Sequence, residues 1–146
     1  MNCLDVMTPA PVCCVPDDLV MDVAQLMRAQ DIGAIPVVAD QESLRLVGMV
    51  TDRDLAVRVI AEGRDPRETV ARDVMSTDPV TCLGTDVYQQ ALQAMGEHQV
   101  RRIPVVDAQG RLAGIIAQAD VATRLAEPST TGAVVEAISE PANSAR

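Results

Sequence analysis

The chain has 146 residues, 48% of them hydrophobic, and a formal net charge of −9, which suits one compact domain or two small ones sharing a core. All 12 basic residues are arginine and Tyr88 is the one aromatic residue, so there is no lysine for a Walker-type phosphate loop or a Schiff base and no stacking platform for single-stranded nucleic acid. The acidity repels phosphate backbones, no apolar run is long enough to span a bilayer, and the first residues, M-N-C-L-D-V-M-T-P, lack the basic and apolar stretches of a leader; the expectation is a cytoplasmic protein that binds neither nucleic acid nor membrane.

Read in chain order, the sequence says nearly the same thing twice. D-V-M-T-P-A-P-V-C-C-V from Asp5 returns as D-V-M-S-T-D-P-V-T-C-L from Asp73. Within the first copy, residues 11–15 read as a strand, and Asp17 and Asp18 offer a helix N-cap. Leu19, Val23, Leu26 and Met27 then mark one helical face. Two β-branched runs follow, I-P-V-V at 35–38 and 46–51, the latter leading through G-M-V-T-D-R-D at 48–54 into a helix marked by Leu55, Ala56, Val59 and Ile60. The polar, proline-containing stretch 63–72 reads as a linker. The second copy repeats the order: a strand at 79–83, caps at Thr85 or Asp86, and a helix marked by Val87, Ala91, Ala94 and Met95. I-P-V-V at 103–106, a D-A-Q-G turn, G-I-I-A-Q-A-D at 114–120 and a last helix with Val121, Ala122 and Leu125 complete it. The expected fold is α/β, two β-α-β-β-α units over 5–62 and 73–126, with a short helix and tail over 127–146. Each unit alone buries too little surface for comfortable stability, so the two are expected to fold together.

Three groups of residues carry possible chemistry. Thr51 and Asp54 lie where a buried strand gives way to a helix, a corner that favours anions because its N–H groups are unpaired. Thr51 can donate to a phosphate oxygen and Asp54 can accept from two ribose hydroxyls; equally, the pair can simply cap the helix. Arg101 and Arg102 directly precede a buried strand, as two solvated surface arginines or as bidentate phosphate ligands. Their counterparts in the first repeat, Gly33 and Ala34, can do neither. Cys3, Cys13, Cys14 and Cys82 form no C-x-x-C pair and His98 is the one histidine, so no metal site is expected. Cys14 and Cys82, at equivalent positions, read as buried small hydrophobes. Cys3 and Cys13 are open to oxidation, with nothing near them in sequence to lower a thiol pKa.

The ordered motifs D-V-M-[TS]…P-V, I-P-V-V-[AD] and G-[MI]-[VI]-[TA]-x-x-D, twice over, resemble the cystathionine-β-synthase (CBS) domain pair, or Bateman module. The similarity covers Asp5 to about Ala126, with T-D-R-D-L-A-V-R and E-H-Q-V-R-R-I-P-V similar to bacterial stand-alone two-CBS proteins of the hypoxic response type. It implies a pseudo-two-fold pair of repeats that binds an adenosine nucleotide, of AMP, ATP or NAD type, in a cleft between them. The motif aspartate then holds the ribose (Asp54, Asp120), Thr51 lies against sugar and phosphate, and Arg101 and Arg102 reach the phosphate. Val80 and Thr81 flank the base, with Met49 and Arg53 completing this site. The second site keeps Ile115 and Asp120 but meets only Gly33 and Ala34, while Ala117 and Ala119 replace Thr51 and Arg53, so it is the weaker. The resemblance further implies a regulatory homodimer rather than an enzyme, with no cofactor and with a separate protein effector. Two alternatives stand beside it: a stress-response scaffold without a physiological nucleotide, and a small redox enzyme using Cys13 and Cys14.

Overall fold

The two D-V-M-[TS] segments are exchanged between the repeats, and that exchange organises the fold. The structure is a computed structural model that describes residues 1–119 and 121. Its contacts group the chain into two compact units: Val12–Pro79, and Met1–Pro11 together with the chain from Val80 onward. Packing thus assigns the first eleven residues to the second repeat, although they precede the first.

At the N-terminus, helix α1 (Cys3–Val6) is held by a reciprocal capping box between Asn2 and Asp5, and strand β1 (Thr8–Pro9) follows. The Val12–Pro79 unit then contains α2 (Val20–Gln30), β2 (Ala34–Val38), β3 (Leu46–Thr51), α3 (Asp52–Leu55) running into a π turn (Ala56–Ile60), and β4 (Ser76–Thr77). Its sheet is antiparallel in the order β2-β3-β4. Val20, Val23 and Met27 of α2 pack on Ile35, Val37, Val50 and Val59, and Val74 of the second D-V-M copy completes this core. In the other unit come β5 (Cys82–Leu83), α4 (Tyr88–His98), β6 (Arg102–Val106) and β7 (Leu112–Ala117), with sheet order β1-β7-β6-β5 and β5 parallel to β6. Val6, from the first D-V-M copy, joins Met95, Ile103, Ile116 and Val121 in its core. The α/β class is the one the sequence implied, and the α2-β2-β3 order of the first repeat returns as α4-β6-β7 in the second.

Two glycines make the exchange possible. β4 pairs with Gly48 and Met49 of β3, and β1 pairs with Gly114 and Ile115 of β7. A Cβ on Gly48 would stand 2.7 Å from the Ser76 carbonyl oxygen and 2.9 Å from Met75 Sδ. One on Gly114 would meet Met7 Sδ and, at 2.7 Å, the Thr8 carbonyl oxygen. The glycine that opens each G-[MI]-[VI] motif is therefore required by the methionine and the backbone of the D-V-M segment lying on it.

Three local expectations are corrected. Asp17 and Asp18 do not cap α2, and neither Thr85 nor Asp86 caps α4; the N-caps are Leu19 and Val87, without side-chain bonds. Asp18 and Asp86 instead close tight turns, accepting from Val15 N and Leu83 N at 2.9 Å each. Backbone carbonyls serve the helix starts: Val20 N and Met21 N donate to Thr69 O and Pro66 O at 2.9 and 3.1 Å, and Tyr88 N to Met1 O at 3.2 Å. Stretch 63–72 is accordingly tied to the first repeat, with Thr69 buried and Arg72 paired to Asp17 at 2.6 Å. The expected strand at 11–15 reduces to a single bridge between Cys14 and Val37, and that at 79–83 to β5. Finally, Ala56 and Ile60 do not share the buried face with Val59. Bonds from Ala61 N to Ala56 O and from Arg64 N to Val59 O span five residues, and this wider turn rotates Ile60 outward. Val59 is fully buried, Leu55 packs at the core margin, and Ile60 and Val57 are exposed at 69% and 43%. Val59 and Val121 therefore belong to core packing, with Leu55 partly buried against it. Ala122, Leu125 and the segment 127–146 lie outside the described residues.

Candidate functional site

β3 ends at Thr51 and α3 begins at once with Asp52, so the strand delivers two polar side chains to a helix start. Thr51 Oγ1 accepts from Asp54 N at 3.1 Å, and Thr51 N donates to Asp54 Oδ2 at 2.9 Å. This is a complete capping box, with two helix-start donors satisfied reciprocally. The structural role that the sequence allowed for both residues is thus in place. It occupies one carboxylate oxygen of Asp54; the other, Oδ1, faces Arg58 Nε at 3.9 Å, beyond hydrogen-bonding distance.

Arg58 is a member of this corner that the sequence reading did not single out, although its i, i+4 spacing from Asp54 was a signal. Its Nη1 donates to Val74 O at 3.0 Å and to Met75 O at 3.4 Å, so one guanidinium ties the exchanged segment to the helix that carries Asp54. The side chain of Asp54 is only 13% exposed. Met49 is buried on β3 between its register partners Pro36 and Ser76, and Arg53 is exposed. Ala34 lies opposite Thr51, and Asp52 N donates to Gly33 O at 2.9 Å. Gly33 and Ala34 are thus brought beside the Thr51 corner of their own repeat.

The remaining candidates lie in the other unit. Arg102 opens β6 opposite Ala117, and Arg101 O accepts from Gln118 N at 2.9 Å. Arg101 is exposed and Arg102 half-buried; among the described residues neither side chain forms an ion pair. Val80 packs against that unit's core, Thr81 is exposed, and Ile115 lies between Thr8 and Pro104 in register. Asp120 lies outside the described residues.

The cysteines separate by environment. Burial pushes the Cys14 thiol up to about 12 and raises that of Cys13, whose Sγ donates to Gln41 Oε1 at 3.4 Å. Neither is a ready nucleophile, since the thiolate is the reactive form. Cys3 is fully buried with Cys82 in the core of the other unit. A hydrogen bond between the two thiols lowers the pKa of Cys3 and raises that of Cys82. Among the described residues no group of three or more His, Cys, Asp or Glu side chains is placed to hold a metal ion.

Comparison with known proteins finds relatives of the whole two-repeat chain. The family profile "CBS domain" matches twice, at residues 3–60 and 71–127. The CBS domain-containing protein YhcV of Bacillus subtilis is 39% identical over 135 residues, covering 92% of this chain and 93% of its own length. Hypoxic response protein 1 of Mycobacterium tuberculosis is 38% identical over 124 residues, 84% of each chain. A crystal structure of a hypoxic response protein I with two coordinated zinc ions superposes with a TM-score of 0.77 at 35% identity, covering 85% of this chain and 98% of that one. The crystal structure of CBSX2 in complex with AMP, a protein of Arabidopsis thaliana, gives a TM-score of 0.75 at 27% identity, covering 88% and 98%.

Proposed function

The chain belongs to the CBS-domain family as a tandem pair, and on that premise we propose that it is a regulatory module whose ligand is an adenosine nucleotide. Asp54 Oδ1 carries the proposal: a carboxylate oxygen of a shielded side chain that the capping box holds through Oδ2, faced by Arg58 Nε at 3.9 Å, beyond hydrogen-bonding distance. It is suited to accept from the vicinal hydroxyls of a ribose. Thr51 orients it, and the guanidinium groups of Arg101 and Arg102 supply phosphate recognition. Met49, Arg53, Val80 and Thr81 complete the ligand's surroundings. A weaker second site uses Gly33, Ala34, Ile115 and Asp120. The AMP complex of the related CBSX2 supports this ligand class. We assign the protein no catalytic step; output passes through association, as a homodimer and with a protein effector, in the cytoplasm. Among the described residues no helix is long and apolar enough to cross a membrane.

The capping box also favours a second reading, a scaffold in which Thr51 and Asp54 are structural only. Thermal unfolding with AMP, ADP, ATP, NAD and S-adenosylmethionine separates the two. A ligand at 100 times its dissociation constant stabilises by about 2.7 kcal/mol, or roughly 5–10 °C for a chain of this size. At least one adenosine compound should give such a rise; none at millimolar concentration would leave the scaffold.

A further inference from the structure

We propose that Cys3 and Cys82 are a reversible disulfide-forming pair that fastens the exchanged N-terminal segment to the unit holding the second repeat. The two residues are far apart in sequence, and the segment exchange brings them together. Cys3 N donates to Asp86 O at 2.8 Å and Leu4 N to Gly84 O at 3.1 Å, so α1 is seated directly on the turn that follows Cys82. Both side chains point into one apolar cluster, Cys3 at 0% and Cys82 at 7% exposure. Each thiol's pKa is shifted chiefly by the other, and the two donate to carbonyls of the same unit, Val87 O at 4.0 Å and Pro104 O at 3.9 Å. Two thiols buried in one cluster, on a helix and on a strand whose following turn is hydrogen-bonded to that helix, are candidates for a disulfide, which needs Cα atoms within about 7 Å of each other. In the other unit the Cys13 Sγ donates to Gln41 Oε1 and Cys14 is buried in the core with Val20, Ile35 and Val37.

The oxidant is a small disulfide of the glutathione class. The Cys3 thiolate attacks one sulfur of oxidised glutathione and expels a glutathione thiolate, giving a mixed disulfide. Cys82, deprotonated, attacks the Cys3 sulfur and expels the second glutathione. Two protein thiols lose two protons and two electrons, and one glutathione disulfide becomes two thiols. Burial means that attack follows local opening of α1, a helix of only four residues, and so short an element opens at low cost. Once formed, the bond closes a loop from residue 3 to residue 82 and prevents β1 from leaving Gly114. Reduction releases that restraint.

The test is to incubate the folded protein with oxidised glutathione, alkylate the remaining thiols under denaturing conditions, and cleave before aspartate. Cleavage before Asp5, Asp78 and Asp86 isolates Cys3 in residues 1–4 and Cys82 in residues 78–85, away from Cys13 and Cys14. The expected product is a 1–4/78–85 cross-link in chains of monomer mass, absent after dithiothreitol, with a raised Tm that dithiothreitol reverses. Cys3→Ala should lack both the cross-link and the rise, while Cys13→Ala keeps both. Full alkylation of Cys3 and Cys82 at saturating oxidant would overturn the proposal, as would a cross-link found only between two chains or one that leaves Tm unchanged.

Discussion

Gly48→Ala tests the segment exchange at its tightest point. The added Cβ would lie 2.7 Å from the Ser76 carbonyl oxygen and 2.9 Å from Met75 Sδ. The thioether can swing aside, but the carbonyl belongs to β4, whose pairing with Gly48 and Met49 fixes it. Relief therefore requires moving a strand, the kind of overpacking that costs about 1–3 kcal/mol. Against this, alanine in a strand recovers roughly 0.5–1 kcal/mol of backbone entropy relative to glycine. The net loss expected lies between about 0 and 2.5 kcal/mol, centred near 1 kcal/mol, a fall in Tm of roughly 2–4 °C at that centre for a chain of this length. Urea and thermal unfolding followed by far-UV circular dichroism measure it without relying on tryptophan, which the chain lacks. Gly48→Val should lose more, because the extra methyls meet the same backbone. A Gly48→Ala protein more stable than the parent, by the roughly 0.5–1 kcal/mol that backbone entropy alone supplies, would refute the packing of the D-V-M segment on β3.

Asp54→Ala should weaken nucleotide binding about 10- to 150-fold, the value of roughly 1.5–3 kcal/mol in hydrogen bonds to a charged group, and Asp120→Ala far less; titration calorimetry giving equal losses would sink the asymmetry between the sites. Thr51→Ala removes the N-cap itself and should cost about 0.5–2 kcal/mol of stability in urea unfolding. Asp107 accepts from Arg111 N and Gln109 N and pairs with Arg111 Nε at 2.8 Å, which holds its carboxyl below the ordinary 3.8. A depressed folded-state pKa stabilises above the unfolded value and is lost as pH falls through the folded one, so Asp107→Asn should lower Tm at pH 7 and leave it unchanged well below pH 3.8. Ile60 and Val57 present the exposed apolar side of the π turn, and Ile60→Glu should shift a homodimer toward monomer in sedimentation; a wild-type monomer at micromolar concentration would remove that assignment.

Much of the fold was legible because hydrophobic period reports burial directly. Val23 and Met27, or Ala91 and Met95, mark α2 and α4 by spacing alone, and the β-branched runs at 35–38 and 103–106 mark the central strands. What the period cannot report is which neighbour an element packs against. Val6 and Met7 look identical in pattern to Val74 and Met75, yet each pair serves the other repeat's core. The π turn escaped for a related reason: Leu55, Ala56, Val59 and Ile60 fit an α-helical stripe, and only the five-residue hydrogen bonds turn Ile60 away. The caps failed because backbone carbonyls remote in sequence, Thr69 O and Met1 O, reach the helix starts before any aspartate can. In the site, Thr51 and Asp54 were visible as a strand-to-helix corner, whereas Arg58 depends on the carbonyls of an exchanged segment that no local pattern reveals.

The central claim, nucleotide recognition by a carboxylate and an arginine pair, is tested most directly by titrating AMP and adenosine against the wild type and an Arg101→Ala/Arg102→Ala variant at two ionic strengths. Charge-assisted contacts to the phosphate are made by AMP alone. The wild type should therefore prefer AMP, and in the variant AMP affinity should fall to that of adenosine while adenosine binding stays nearly unchanged. An AMP preference that survives in the variant, with at most a small salt-sensitive loss, would show two solvated arginines and contradict the assignment.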